Sequence, residues 1–257
     1  MIKKLFKRIY IKLYFIFFKE LVISKEGATF LLRKEHYQLR NSILEGFENN
    51  FYNLITYVNK NTIFIDIGAN VGIATCLIAN KCKFCFSIEP CTSTFIQLVQ
   101  NIQKNNFSNV IPIKALIDKK SGIETMTSIP YSGINQKIEH INENPYINEV
   151  LINNNYEKVC AIKLDTILYS FLKDQSLMYR NINLVVKLDV ERNELNVLRG
   201  ASKFLKLKIP MIISLEYYSK KNREELDSYL VNNGFKRVKP KLKDSNLYYS
   251  NFKNQNN

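Results

Sequence analysis

Apolar residues run almost unbroken through IFIDI (63–67), FCFSI (84–88), VIPIKALI (110–117), LVVKL (184–188) and MIISL (211–215). Runs of this kind mark strands buried on both faces of a parallel sheet. Between them the apolar positions recur at three- and four-residue spacing, the rhythm of amphipathic helices. IFIDI breaks into GANVG before the helical IATCLIANK, and FCFSIEP turns into TSTFIQLVQNIQKN. VIPIKALI forms a third unit ending near Asp118; NLVVKLDVE leads into RNELNVLRGASKFLK, and MIISLEYY into SKKNREELDSYLVNNG. Ile43, Leu44, Phe47, Phe51, Leu54, Ile55 and Val58 set a helical rhythm over 41–60, and FKRVKP with LYYSN reads as a hairpin closing a sheet edge. The alternation predicts an α/β fold, a doubly wound parallel sheet with right-handed crossovers and helices on both faces.

A chain of 257 residues can bury one substantial core, so one domain over 41–250 is expected, with an extension over 1–40 and a polar tail over 251–257. The first twenty residues carry six cations and one acid, and Lys4, Arg8 and Lys12 recur at i, i+4 beside Ile2, Leu5, Ile9 and Leu13. This is the pattern of a basic amphipathic helix. Its unbroken apolar stretch, Leu13 to Phe18, is six residues, far below the ~20 that span a bilayer, and no small-residue cleavage site follows. Residues 1–20 could lie on an anionic membrane surface, cap the domain or pair with a second copy. The formal charge of +14 invites nucleic acid, yet lysine supplies all but eight of the 37 cations, and lysine is the poorer group for bidentate phosphate or base recognition. Nucleic acid is therefore not the expected partner. Five cysteines, an odd number, argue for a reducing, cytoplasmic setting. Cys76, Cys82, Cys85 and Cys91 fall as C-x5-C-x2-C-x5-C, but spread over a helix and a strand they do not suit a tetrahedral zinc site, and small buried thiols are expected.

In open α/β sheets ligands bind beyond the carboxyl ends of the strands, where strand order reverses. Asp66, Glu89, Asp189, Glu191 and Glu216 all fall at such ends. A dinucleotide site asks for G-x-G-x-x-G, so that pyrophosphate rests on a helix N-terminus. The spacing here is D-x-G-x-N-x-G with no following lysine, and an acid beside that helix end repels phosphate. The same acid suits a ligand with a cationic reactive end: S-adenosylmethionine carries a sulfonium and an ammonium and no phosphate. Gly68 and Gly72 tighten the turn, and Asn70 is among the few non-glycine residues that tolerate positive φ. Glu89, 17 residues past Gly72, offers two acceptor oxygens to the ribose hydroxyls. Singly, Asp66 could be a helix N-cap and Glu89 a solvated strand end; their joint spacing favours the cofactor.

FIDIGANVGIATCLIA, FSIEP, NVIPIKALIDKKSG, VCAIKLDTIL, LVVKLDVERNELNVLRGA and MIISLEYY, in that order, resemble the FkbM family of S-adenosylmethionine-dependent methyltransferases, over roughly residues 43–250. The resemblance implies a class I methyltransferase (Rossmann-like) fold: a seven-stranded, mostly parallel sheet with one antiparallel strand. It implies O-methylation of a sugar or other small hydroxylated metabolite, in surface-polysaccharide or natural-product biosynthesis. By this resemblance Asp66, Gly68, Asn70 and Gly72 form the cofactor loop, Glu89 is the ribose-binding acid, and Ala115 with Leu116 flanks the adenine. KLDVERNEL is similar to the family signature K-I-D-V-E-G-x-E, with Lys187, Asp189, Glu191 and Glu194 in register; it departs at Arg192, where the family has glycine.

Methyl transfer to an alcohol needs the acceptor held in line with the methyl group and a base for its proton. Lys187, Asp189 and Glu191 alternate along one strand and share a face. Asp189 is the first candidate for base or acceptor-orienting group, Glu191 the second, and Glu216 a candidate wall of the acceptor pocket. A polar strand end that merely holds the next helix or the cofactor's methionine moiety is the plainer alternative. No Asp-Asn pair follows Asp189, as catechol-type methyltransferases would suggest, so no required metal is expected. YSGINQKIEHINENPY interrupts the alternation, and the stretch of about 125–158 is expected to form a lid or acceptor-binding insertion, with His140 as an alternative base. Two further functions stay open: a nucleic-acid methyltransferase, disfavoured by the lack of an N-P-P-[YF] motif, and a cofactor-binding but catalytically idle protein, suggested by Arg192.

Overall fold

The computed structural model describes residues 9, 14–33, 37–128, 135–137, 156–178 and 181–252. Along the main sheet the chain runs β3 (Thr62–Ile67), α3 (Ile73–Ile78), β4 (Phe84–Ile88), α4 (Thr92–Lys104), β5 (Val110–Ile113), then α5 (Leu164–Met178), β10 (Asn183–Leu188), α6 (Glu194–Arg199), β11 (Met211–Leu215), α7 (Lys220–Asn232), β12 (Lys236–Val238) and β13 (Leu247–Ser250). Strand order is β12-β13-β11-β10-β3-β4-β5. β13 pairs antiparallel with both neighbours and every other pairing is parallel. This is the seven-stranded sheet that the family resemblance implies, with one reversed strand in the edge hairpin. Pro112, which cannot donate to a ladder, sits on the edge strand β5.

Alternation within each strand divides the core in two. Ile63, Ile65 and Ile67 of β3, Leu184, Val186 and Leu188 of β10, and Met211, Ile213 and Leu215 of β11 pack with α5, α6 and α7. Phe64, Val185 and Ile212 face the other way, with Leu77 of α3 and Leu98 of α4. Asp66, Lys187 and Ser214 follow on this second face by the same period-two rule, at the carboxyl ends of their strands.

The segment expected as a single helix over 41–60 is two, α1 (Tyr37–Glu45) and α2 (Asn49–Tyr57), separated at Gly46, whose φ of 117° no helix accommodates. The extension over 1–40 is not helical throughout. Residues 20–33 form a hairpin, β1 (Glu20–Lys25) and β2 (Ala28–Arg33), turned by Glu26 (φ 56°) and Gly27 (φ 79°), the two positive values of a type I′ turn. β2 is built into the domain: Phe30 and Leu32 are fully buried on the second face. Its backbone is met by amides at i, i+4, i+8 along α4. Gln97 Nε2 donates to Leu31 O (2.8 Å), Asn101 Oδ1 accepts from Leu31 N (2.8 Å), and Asn105 bonds both Thr29 N and Thr29 O (2.7 Å each). These side chains replace the neighbouring strand that β2 lacks on that edge.

VIPIKALI is also divided. Its first half is β5; Leu116–Ile117 forms β6, which joins a second sheet of order β6-β9-β7-β8 with β7 (Gly122–Ser128), β8 (Asn135–Lys137) and β9 (Tyr156–Ile162). Within the expected insertion the described residues thus belong to strands, and Lys137 is buried in an ion pair with Asp118 at 2.8 Å. His140 and the remainder of the insertion lie outside the described residues, as do the expected helix over 1–13, apart from helical Ile9, and the tail beyond 252.

Candidate active site

The turn from β3 into α3 is made by alternate left-handed residues, Gly68 (φ +80°), Asn70 (φ 52°) and Gly72 (φ +87°). At Gly68 a Cβ would lie 1.8 Å from the Asp189 carbonyl oxygen, so this loop and the end of β10 touch backbone to backbone. Asp189 N donates to Ile67 O (3.1 Å), and Gly68 N and Ala69 N both donate to Ile88 O (3.0 Å each). Asn101 Nδ2 holds Val71 O at 2.7 Å. The loop is thereby fixed between three strands and α4 by the protein's own hydrogen bonds.

Glu89 is buried at the end of β4 and takes three protein donors. Its Oε2 accepts from Asn70 N (3.0 Å), and its Oε1 from Cys91 N (3.1 Å) and Thr94 Oγ1 (2.7 Å). The ribose candidate thus also braces the loop against the start of α4. Ala115 and Leu116 are buried beyond β5, Ala115 in the main core and Leu116 with Cys91, Met126, Val159 and Ala161. Cys76, Cys82 and Cys85 join the core of the second face. Burial pushes the Cys76 and Cys91 thiols up, as it does for inert structural cysteines.

Asp66 is fully buried and faces protein on every side. Register sets Lys187 of β10 and Ser87 of β4 opposite it. Thr75 Oγ1 of α3 donates to Asp66 Oδ2 (2.8 Å) and lies 2.7 Å from Ser87 Oγ. Lys187 Nζ is 3.4 Å from Asp66 Oδ1, 3.0 Å from Asp189 Oδ2 and 3.3 Å from Gly68 O. The contact to Asp66 Oδ1 is an ion pair without hydrogen-bond alignment, and that buried oxygen has no hydrogen-bond partner. Burial alone would lower the Lys187 ammonium, but the carboxylates of Asp189 and Asp66 outweigh it and hold it above its ordinary value.

The remaining acids converge on Asp189. Burial, then the charges of Asp189 and Glu194, push Glu191 up to about 8. Asp189, then burial, does the same for Glu216, also to about 8. Glu194, at the start of α6, is pushed up by burial to about 7, and Glu48, just before α2, lies within electrostatic reach of Asp189. The charge of Asp189 is thus felt by both other expected catalytic residues, Glu191 and Glu216. Sequence reasoning missed Glu48, whose helix is brought in by tertiary packing, and the buried Thr75–Ser87 pair beneath Asp66, which only strand register reveals.

Arg192, which replaces the family glycine, keeps a glycine-like backbone: φ is 77°, and 51° at Glu191 before it. Its guanidinium lies 4.9 Å above the Tyr218 ring. A left-handed arginine costs about 1 kcal/mol or more, and an exposed cation–π contact returns about 0.5–1 kcal/mol. Arg192→Gly is expected to leave the melting temperature, read by calorimetry, within a few degrees. Because Arg192 lowers the Glu191 carboxyl, the same change should move that group's NMR titration further upward.

Acids gathered at the carboxyl edge of a sheet of this strand order, beside a glycine-bearing strand-to-helix turn, define a class I methyltransferase. The description "Methyltransferase FkbM domain" matches residues 66–237. The chain belongs to the FkbM methyltransferase family, and S-adenosylmethionine is the cofactor of that class. No protein of curated function matches it. Among solved structures it is similar to M. jannaschii TYW2 in complex with AdoMet, at 16% identity over 90% of this chain and 84% of that one, TM-score 0.46. It is similar to an FkbM methyltransferase from Methylobacillus flagellatus KT (16% identity, 76% of this chain and 49% of that one, TM-score 0.45). Trm5b from Pyrococcus abyssi is a third (10%, 91% and 55%, TM-score 0.48). The chain spans about half the length of the last two.

Proposed function

We propose that this protein transfers a methyl group from S-adenosylmethionine to a hydroxyl of a sugar or other small hydroxylated acceptor. The observation that carries the reading is the charge of the site. Lys187 is already shared by Asp66 and Asp189, so those three groups sum to −1 before Glu191 and Glu216 lose a proton. Such a site fits a cationic ligand and repels a phosphate. The loop of Gly68, Asn70 and Gly72, backed by the buried charge of Asp66, fits the cofactor's methionine end, Glu89 its ribose, and Ala115 with Leu116 its adenine. When bound, the cofactor supplies an electrophilic methyl group on a positive sulfur.

The chain's own residues then have distinct tasks. Asp189, fixed by Lys187, is suited to accept a hydrogen bond from the acceptor hydroxyl and orient it. Glu216 and Glu191, raised toward neutrality, are matched to take its proton, and Glu216 stands beside the exposed Tyr217 and Tyr218, whose rings suit the apolar faces of a sugar. A polyphosphate acceptor would bring like charge against these carboxyls, which speaks against RNA or DNA despite the basic surface. The test is transfer of labelled methyl from S-adenosylmethionine to glycans and small polyols, with bulk tRNA in parallel. Label on a sugar hydroxyl, lost in Asp189→Asn while cofactor binding persists, is the expected result. Label on tRNA alone would refute the reading.

A further inference from the structure

We propose that the face carrying Ile16, Phe17, Phe18 and Val22 is a peripheral docking surface for an anionic lipid bilayer. These four side chains are 68%, 80%, 57% and 49% exposed. Exposed apolar residues are ordinary when scattered, whereas Ile16, Phe17 and Phe18 are consecutive and line one hollow, and a contiguous group of this kind marks a contact surface. The group is held in place and is not a loose end. Residues 14–17 are helical, Phe18 N donates to Tyr14 O (2.9 Å), and the Tyr14 and Phe18 rings stack at 4.6 Å. Phe15 turns inward, to the core under β2, and Tyr14 packs against the same cluster. Beside them opens a hollow of about 390 Å³ lined by residues 15–20 and Arg33.

Charge selects the occupant. Glu20 is the only acid among the first twenty residues, and Arg33 neutralises it at 2.6 Å. Lys19 adjoins the patch, and Lys3, Lys4, Lys7, Arg8 and Lys12 precede it in the sequence. Aromatic and aliphatic side chains in a stretch of sequence this rich in cations and poor in acids are the composition of an interfacial segment that inserts shallowly among anionic headgroups. A second copy of the chain fits less well, because a stretch whose sequence carries six cations and one acid repels its own copy. No helix among the described residues is long and apolar enough to cross a membrane. The attachment is also stiff: β1 continues from this segment, and its partner β2 is bonded to α4, the helix whose Asn101 holds the cofactor loop. Docking would thus fix the orientation of the acid-lined site to the bilayer.

The test is co-sedimentation of the full chain with vesicles of phosphatidylcholine alone or with about one quarter phosphatidylglycerol, at about 0.1 M and about 0.5 M salt. Binding is expected on the anionic vesicles at low salt, weakened at high salt and on neutral lipid. Phe17→Ser/Phe18→Ser should lower partitioning about tenfold or more, and Lys7→Glu/Arg8→Glu should remove the dependence on phosphatidylglycerol. Both pairs leave the described core intact, which unchanged thermal melts would verify. Three results would overturn the proposal: no sedimentation with anionic vesicles at low salt, undiminished sedimentation of the phenylalanine variant, or a dimer in light scattering that this variant dissolves while vesicles take up neither protein.

Discussion

Lys187→Met is expected to destabilise the protein by about 3–5 kcal/mol, the cost of leaving a buried charge without its partner. Lys187 is 3% exposed and Asp66 is fully buried, so water cannot replace the ammonium. Asp66 would keep only the Thr75 hydroxyl and Asp189 would lose its 3.0 Å contact. For a chain of this size the loss corresponds to a fall in melting temperature on the order of 10 °C. Adding Asp66→Asn should restore much of the loss, since the two residues form one unit and their effects are not additive. A variant that melts within about 1 kcal/mol of the parent, at neutral pH, would mean that the ion pair contributes little.

The same pair marks the boundary of what the sequence discloses. β3, β4, β10 and β11 are legible because burial on both faces forces near-continuous apolar runs, and α4 because its buried Leu98 and Ile102 repeat at helical spacing. The loop from Gly68 to Gly72 is legible because positive φ restricts the residues it admits. What escapes is set by pairing between distant segments. Asp66 reads as a cofactor acid, but only the register of β3 against β10 discloses that Lys187 stands opposite and shares its charge. β6 is two residues long, too short for any periodicity, and exists as a strand because β9 lies beside it. β1 and β2 lie behind a basic amphipathic pattern, and what fixes β2 is a ladder of asparagine and glutamine amides on α4 that carries no apolar signal. Arg192 breaks the family signature in sequence, yet its φ of 77° keeps the glycine's backbone, so the departure concerns the side chain above Tyr218 and not the turn.

Glu216→Gln is expected to lower kcat by about 10²–10⁴-fold, the range for loss of a positioned general base, while leaving cofactor affinity near its original value. A base must be unprotonated to act, and Glu216 stands at about 8 because Asp189 is its neighbour and it is largely buried. In the free enzyme kcat/KM should therefore rise with pH through about 8, and in Glu216→Gln that rise should flatten. Asp189→Asn removes the first cause of the upward shift, so the rise should move to lower pH even as acceptor positioning suffers. Cofactor binding offers a check that needs no acceptor. A positive ligand beside Glu216 and Glu191 favours their ionised forms, so both should release protons when S-adenosylmethionine binds at pH 7. Calorimetry in buffers of different ionisation enthalpy would count them. S-adenosylhomocysteine, which lacks the sulfonium charge, should release fewer, and Glu216→Gln should lower the count for S-adenosylmethionine. A kcat/KM flat from pH 6 to 9, or equal proton release by the two ligands, would remove Glu216 from the reaction and shift the role of base to a residue outside this acid group.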